Sequence, residues 1–171
     1  SMLFLDGITE QYYRKRHLVP FGEYFPVPSF IREWMRLQSL PNTDLSKGSQ
    51  KQPLIKFSEN ILLATAICYE VAFGSEQLYA FPNAALLVNI SNDAWFGDSI
   101  APHQHLQISR MRSLEVSREM VRATNNGISA FIGPKGKVEK QSDQFVFARL
   151  SADIQPRSGS TPYVLFGNWP I

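Results

Sequence analysis

The sequence predicts a mixed α/β fold in layers, on three observations. The apolar runs ILLATAI (61–67) and AALLVNI (84–90) have the length and composition of buried strands. AICYE and SNDAWFG, which close those runs, are each followed by residues with helical signals, and strands that alternate with helices pack as a mixed sheet with helices on it. Readable strands outnumber readable helices, and no internal repeat is present. At 171 residues, 44% hydrophobic and 19% charged, the chain has the size of one domain and excludes disorder and coiled coil. Seventeen Lys plus Arg against fifteen Asp plus Glu, scattered along the chain, leave no basic footprint for nucleic acid. Neither apolar run approaches the roughly 20 residues of a membrane-spanning helix. No charged start with an apolar core marks a signal peptide, and the Ser before Met2 reads as a cloning remnant, so an excised fragment is expected.

Element by element, LFLDGITEQYYRKRHLV reads as two strands around an Asp6-Gly7 turn, with Lys15 near the end of the second. PFGEYFPVP has three prolines in nine residues and is expected as an ordered, irregular loop around Glu23. SFIREWMRLQSL, with Ile31, Trp34 and Met35 at helical spacing, reads as a short amphipathic helix ending at Pro41. Its apolar face is expected to meet the core, although a membrane-facing role fits the same pattern. Residues 41–53 are polar and rich in turn formers, a surface loop, and LIKF pairs with ILLATAI. The longest helix is expected from about His103 to Arg122, with Met111, Leu114 and Val121 on one face. ISAFI, the turn GPKG and a strand near Val138 form a hairpin, and FVFARL adds an alternating strand. The aromatic STPYVLFGNWPI is too apolar for a free tail.

Chemistry centres on Cys68, the single cysteine, which excludes an internal disulfide and leaves the redox compartment open. A thiol at a strand end, before a turn into a helix, stands where nucleophiles sit; a lone cysteine after an apolar run also fits a small buried hydrophobe. A free thiol ionises only at about pH 8.5, so a cysteine nucleophile needs a cation or base beside it. Lys15 and His17 are candidates for that partner, and the carboxylates of Glu23 and Glu70 for supporting a base or positioning an amine.

YRKRHLVPFGEYFP, AICYEVAF, NISNDAWFG, HQHLQISRMRSLEVSR and RATNNGISAFIGPKGKV together resemble the apolipoprotein N-acyltransferases, membrane enzymes with a nitrilase-superfamily catalytic domain. The resemblance covers nearly the whole chain and implies a nitrilase-like αββα sandwich, incomplete, with residues 1–171 as part of that domain. It implies Cys68 as nucleophile and Lys15 as second member of a Glu-Lys-Cys triad, with Glu23, Tyr69 and Glu70 close by and needed. The third member, a general-base Glu, belongs to a segment well before the Lys. Neither Asp6 nor Glu10 matches its motif, so these residues alone are expected to be inactive. The Lys15 ammonium and the Tyr69 backbone N–H suit an oxyanion hole, worth about 10²–10³ in rate per donor. The implied reaction takes an acyl chain from a phospholipid onto Cys68, then to the N-terminal amine of a diacylglyceryl-cysteine apolipoprotein. It needs no cofactor and proceeds at the periplasmic face of the bacterial inner membrane.

Trp95 and Phe96 either line an acyl path or plug the core. His103 and His105, two apart at a helix start, point to different sides and lack accompanying metal-ligand spacing, and GPKGK lacks the phosphate-loop gap, so neither metal nor phosphate binding is expected. Two other functions fit the same motifs: a soluble carbon-nitrogen hydrolase, in which water opens the acyl-enzyme, and a non-catalytic nitrilase-like binding module.

Overall fold

The computed structural model describes residues 1–6, 9–37 and 45–169. A six-stranded sheet organises it, in the order β3 (Ile55–Ser58), β4 (Ile61–Ile67), β5 (Leu86–Ser91), β6 (Met120–Thr124), β7 (Ala130–Ile132), β8 (Val138–Gln141). The central β4, β5 and β6 are parallel, and the outer pairs are antiparallel. Alternation along the strands divides the apolar residues between two faces. Leu63 and Leu86, paired in register, join Tyr13 and Ile55 on one face, while Ala64 and Leu87, the next pair, face Leu106, Val116, Met120 and Ile132 on the other.

A separate hairpin, β1 (Met2–Leu5) with β2 (Glu10–Tyr13), precedes the sheet in register Met2↔Tyr13 to Leu5↔Glu10. Asp6 accepts from Thr9 N at 2.6 Å, and Gly7 of the predicted turn lies outside the described residues. Lys15 stands just beyond β2. The proline loop is ordered by a turn at 21–23 and a bridge between Pro20 and Tyr24. Residues 45–53 carry no strand or helix; 38–44, with the predicted helix end at Pro41, lie outside the described residues.

Three expectations are corrected. Helix α1 (Ser29–Leu37) turns Phe30, Trp34 and Leu37 to solvent instead of the core; the Met35 side chain lies outside the described residues. After α2 (Gly74–Gln77), the long helix α3 runs Ala101–Val116 and stops well before Arg122. Ser117 adopts a left-handed φ of 51°, its N–H bonds Leu114 O, and Arg118 N–H bonds Ser113 O, a C-terminal cap that releases the chain into β6. FVFARL forms no strand: Phe145, Val146 and Phe147 are exposed and join no ladder.

Pro102 opens α3 where its missing N–H costs nothing, and Pro102, His105, Leu106, Ser109, Ser113 and Val116 form its buried face. The predicted hairpin of β7 and β8 is present, closed by Gly133 N–H to Lys137 O at 2.8 Å across the GPKG turn. The C-terminal segment packs back through α4 (Pro162–Phe166), capped by Thr161, with Val164 against the core while Leu165, Phe166 and Trp169 stay exposed. Among the described residues no helix is long and apolar enough to cross a membrane.

Candidate active site

The carboxyl ends of β4 and β5 meet beneath the start of α3, the position where open parallel sheets present their ligand crevice. At the end of β4, Cys68 takes a φ of +54°. A non-glycine residue there costs about 1–3 kcal/mol and persists only when its surroundings fix it. The tight turn Cys68–Ala72 follows at once, leaving the thiol half-buried rather than packed away.

Glu70 does much of that fixing. Its buried carboxylate reaches back to Ile67 N at 2.6 Å, on the near side of the elbow. It also accepts from Arg16 N at 2.5 Å, His17 N at 3.3 Å and the Tyr13 hydroxyl at 3.1 Å. One carboxylate therefore ties the segment carrying Lys15 to the segment carrying Cys68, and with its lone pairs so occupied it is a structural acceptor. Burial, followed by the Glu70 charge, pushes the Tyr13 hydroxyl far above its ordinary range, so it remains a hydrogen-bond donor.

Lys15 is buried, and its ammonium lies 2.7 Å from each oxygen of Glu23, one of which also accepts from Val19 N at 2.8 Å. His17 is turned elsewhere: it stacks on Phe73 at 3.7 Å and meets Glu76 through Nδ1. A cavity of about 460 Å³ is walled by Cys68, Tyr69, Glu23, Trp95, Phe96 and His105, with Val19, Ala72 and Ile108 making it largely apolar. That volume falls within the roughly 300–1,000 Å³ of small-molecule sites. Trp95 and Phe96 are exposed and line this cavity.

Behind the thiol lies a buried polar chain that the sequence reading missed. His105 sets Nε2 3.2 Å from the Cys68 carbonyl and Nδ1 3.0 Å from Asp93 Oδ1. Ser91 Oγ donates to the same Asp93 oxygen at 2.6 Å, and Arg122 donates to the other at 2.9 Å. Arg122 also donates to Asn89 and Ser109. Burial alone would raise the Asp93 carboxyl, but bonds from His105 and Ser91, with the Arg122 charge, outweigh it and hold the group below its ordinary range. Burial pulls Arg122 down from its usual value, partly offset by Asp93. The available signal was the polar triplet Ser91-Asn92-Asp93 ending a core strand beside the cysteine strand.

Residues 1–163 match the sequence profile of the Carbon-nitrogen hydrolase family. Among curated proteins the chain is 50% identical over 169 residues to an apolipoprotein N-acyltransferase of Nitrosomonas europaea, covering 98% of this chain and 34% of that protein. It is 45% identical over 158 residues to the one of Methylococcus capsulatus, covering 92% and 31%. The chain thus spans about a third of the length of these curated relatives. Among solved structures, the C. elegans NitFhit protein superposes with a TM-score of 0.54 at 19% identity, over 80% of this chain and 32% of that one, a likeness of fold alone. The mixed sheet with its helices corresponds to part of a nitrilase-like fold. With the profile match running from the first residue to α4, this chain belongs to the carbon-nitrogen hydrolase family.

Proposed function

We propose that residues 1–171 are part of the catalytic domain of a lipoprotein N-acyltransferase, with Cys68 as its nucleophile. The observation that carries this reading is Cys68, on a strained elbow, opening into a largely apolar cavity that also holds Glu23, Trp95 and Phe96. The high identity to apolipoprotein N-acyltransferases supports it.

In the proposed reaction Cys68 Sγ attacks the ester carbonyl of a phospholipid acyl chain. An S–C bond forms, the ester C–O bond breaks, and the lysophospholipid leaves as an alcohol after taking up a proton. The α-amine of a diacylglyceryl-cysteine apolipoprotein then attacks the thioester, an amide forms, and the thiol is regenerated. Two substrates that use one site in turn give ping-pong kinetics. Lys15, held by Glu23, and the Tyr69 N–H stabilise the oxyanion, and Trp95 and Phe96 guide the acyl chain. Glu70 and Glu23 are filled with hydrogen bonds, so neither takes the thiol proton; that base is a Glu on a segment outside these residues, without which they do not turn over. No cofactor enters this scheme.

The exposed Phe21, Phe30, Trp34 and Leu37 of the proline loop and α1 give this surface the aromatic and aliphatic groups that an interface with lipid requires, in keeping with a site at the periplasmic face of the inner membrane.

The test is the intact mass of the full-length protein that also carries the base-bearing segment, in detergent with phospholipid and no acceptor, beside Cys68→Ala. A hydroxylamine-labile gain of one acyl chain, absent from the variant, is expected. No adduct on folded protein refutes the phospholipid-donor mechanism and favours a hydrolase or a non-catalytic module.

A further inference from the structure

The peptide unit between Cys68 and Tyr69 has a group on each side with a different destination. Its carbonyl points to His105 Nε2, 3.2 Å away. Its N–H is the Tyr69 donor. A trans peptide is planar, so its C=O and N–H point in opposite directions, and fixing one aims the other.

His105 is well placed to fix it. The ring is buried on α3, and its far nitrogen meets Asp93, itself anchored by Ser91 and by Arg122 from β6. The chain of contacts therefore begins in the centre of the sheet and ends on the backbone of the strained residue. To hold the carbonyl, Nε2 must carry a hydrogen, since a carbonyl oxygen only accepts, and the Asp93 carboxylate oxygen at Nδ1 likewise only accepts.

We propose that His105 is a positioning residue: it locks the Cys68–Tyr69 peptide plane so that the Tyr69 N–H faces the oxygen of the carbonyl under attack. The inference rests on the reading of Cys68 as an acylated nucleophile. It assigns the Arg122, Asp93 and His105 chain the task of aiming an oxyanion donor, beyond satisfying a half-buried carbonyl. His105 touches no reacting atom in this role.

The test compares two reactions of the same thiol in the full-length protein that also carries the base-bearing segment, in detergent, for the unmodified protein, His105→Gln and His105→Asn. Acylation by p-nitrophenyl butyrate passes through an oxyanion and releases p-nitrophenolate. Alkylation by iodoacetamide displaces iodide at a methylene carbon and forms none. A Gln amide nitrogen falls near Nε2 and can donate to the Cys68 carbonyl, whereas an Asn amide nitrogen falls near Nδ1 and stops short of it. The expected result is acylation near the unmodified rate for His105→Gln, acylation slowed about 100-fold for His105→Asn, and unchanged alkylation in both. Equal acylation by the two variants, or alkylation falling in step with acylation, overturns the proposal. So does an unmodified protein that the ester does not acylate. Acylation by the ester without any adduct from phospholipid, measured separately, strikes the phospholipid reading alone and leaves this inference standing.

Discussion

Replacing Asp93 by Asn leaves a full positive charge unmatched in the middle of the sheet. The side chains of Asp93 and Arg122 are both at 0% exposure, and the carboxylate is the counter-ion that Arg122 meets at 2.9 Å. An Asn amide can keep one acceptor for Ser91 or His105, but its NH₂ then faces the guanidinium, donor against donor. Breaking a buried pair by removing one partner costs about 3–5 kcal/mol, because the remaining charge is buried without compensation. Domains of this kind are stable by about 5–15 kcal/mol, so the change removes a large share of the total. With a urea slope of about 2 kcal/mol/M, the unfolding midpoint drops by about 2 M, read by circular dichroism. Arg122→Met is expected to cost a comparable amount alone, and the double variant much less than the sum, since it removes both charges together. A loss below about 1 kcal/mol for Asp93→Asn, or additive losses in the double variant, would refute the account of Asp93 and Arg122 as a mutually dependent pair.

The same carboxylate sets an acid limit. Its folded-state pKa lies below the ordinary 3.8, so its contribution is complete above that pH and is lost as pH falls through the lower folded value. Urea midpoints measured stepwise from neutral pH to below 3.8 should show a fall in that window that Asp93→Asn lacks. Glu70→Gln turns one end of the four-donor acceptor into a donor facing backbone N–H groups; a loss of about 1.5–3 kcal/mol in denaturant unfolding is expected, and a loss within error would show that these contacts do not join the two segments. Gly127→Ala places a methyl carbon 2.7 Å from Asp93 Cβ and still closer to its carboxylate. A lowered thermal midpoint should follow there, while an unchanged one would mean the loop gives way freely.

The strands were legible where apolar runs are bounded by turn formers. β3, β4, β5 and the GPKG hairpin follow from composition because each side chain's place agrees with its chemistry. β6 was not, because buried Arg122 within it and buried Arg118 just before it break the apolar signal and imitate the polar side of a helix. Arg118 is accommodated by carbonyls of Ala84, Val116 and Gly159, partners brought by the fold and invisible to a local reading. FVFARL alternates like a strand yet pairs with none among the described residues, and pairing is what alternation cannot supply. At the site, the elbow at Cys68 and the grouping of Glu23, Tyr69 and Glu70 around it could be anticipated. His105 offers the sequence only a metal reading, which its spacing from His103 does not support, and its positioning contacts stay hidden because Asp93 and the Cys68 carbonyl come from segments distant in sequence.

The segment carrying Lys15 differs from the strands in how it is retained. Cys68 grows out of a strand with a neighbour on each side, so its amides exchange with solvent only when the sheet opens. Residues 14–24 belong to no ladder beyond the bridge at Pro20; Glu70 holds Arg16 and His17, and Gln52 and Gly48 bond Arg14 and Lys15. Lys15 and its partner Glu23 thus arrive on a strap kept in place by individual side chains such as Glu70 and Gln52, so its attachment can be altered one residue at a time while the sheet that carries Cys68 stays whole.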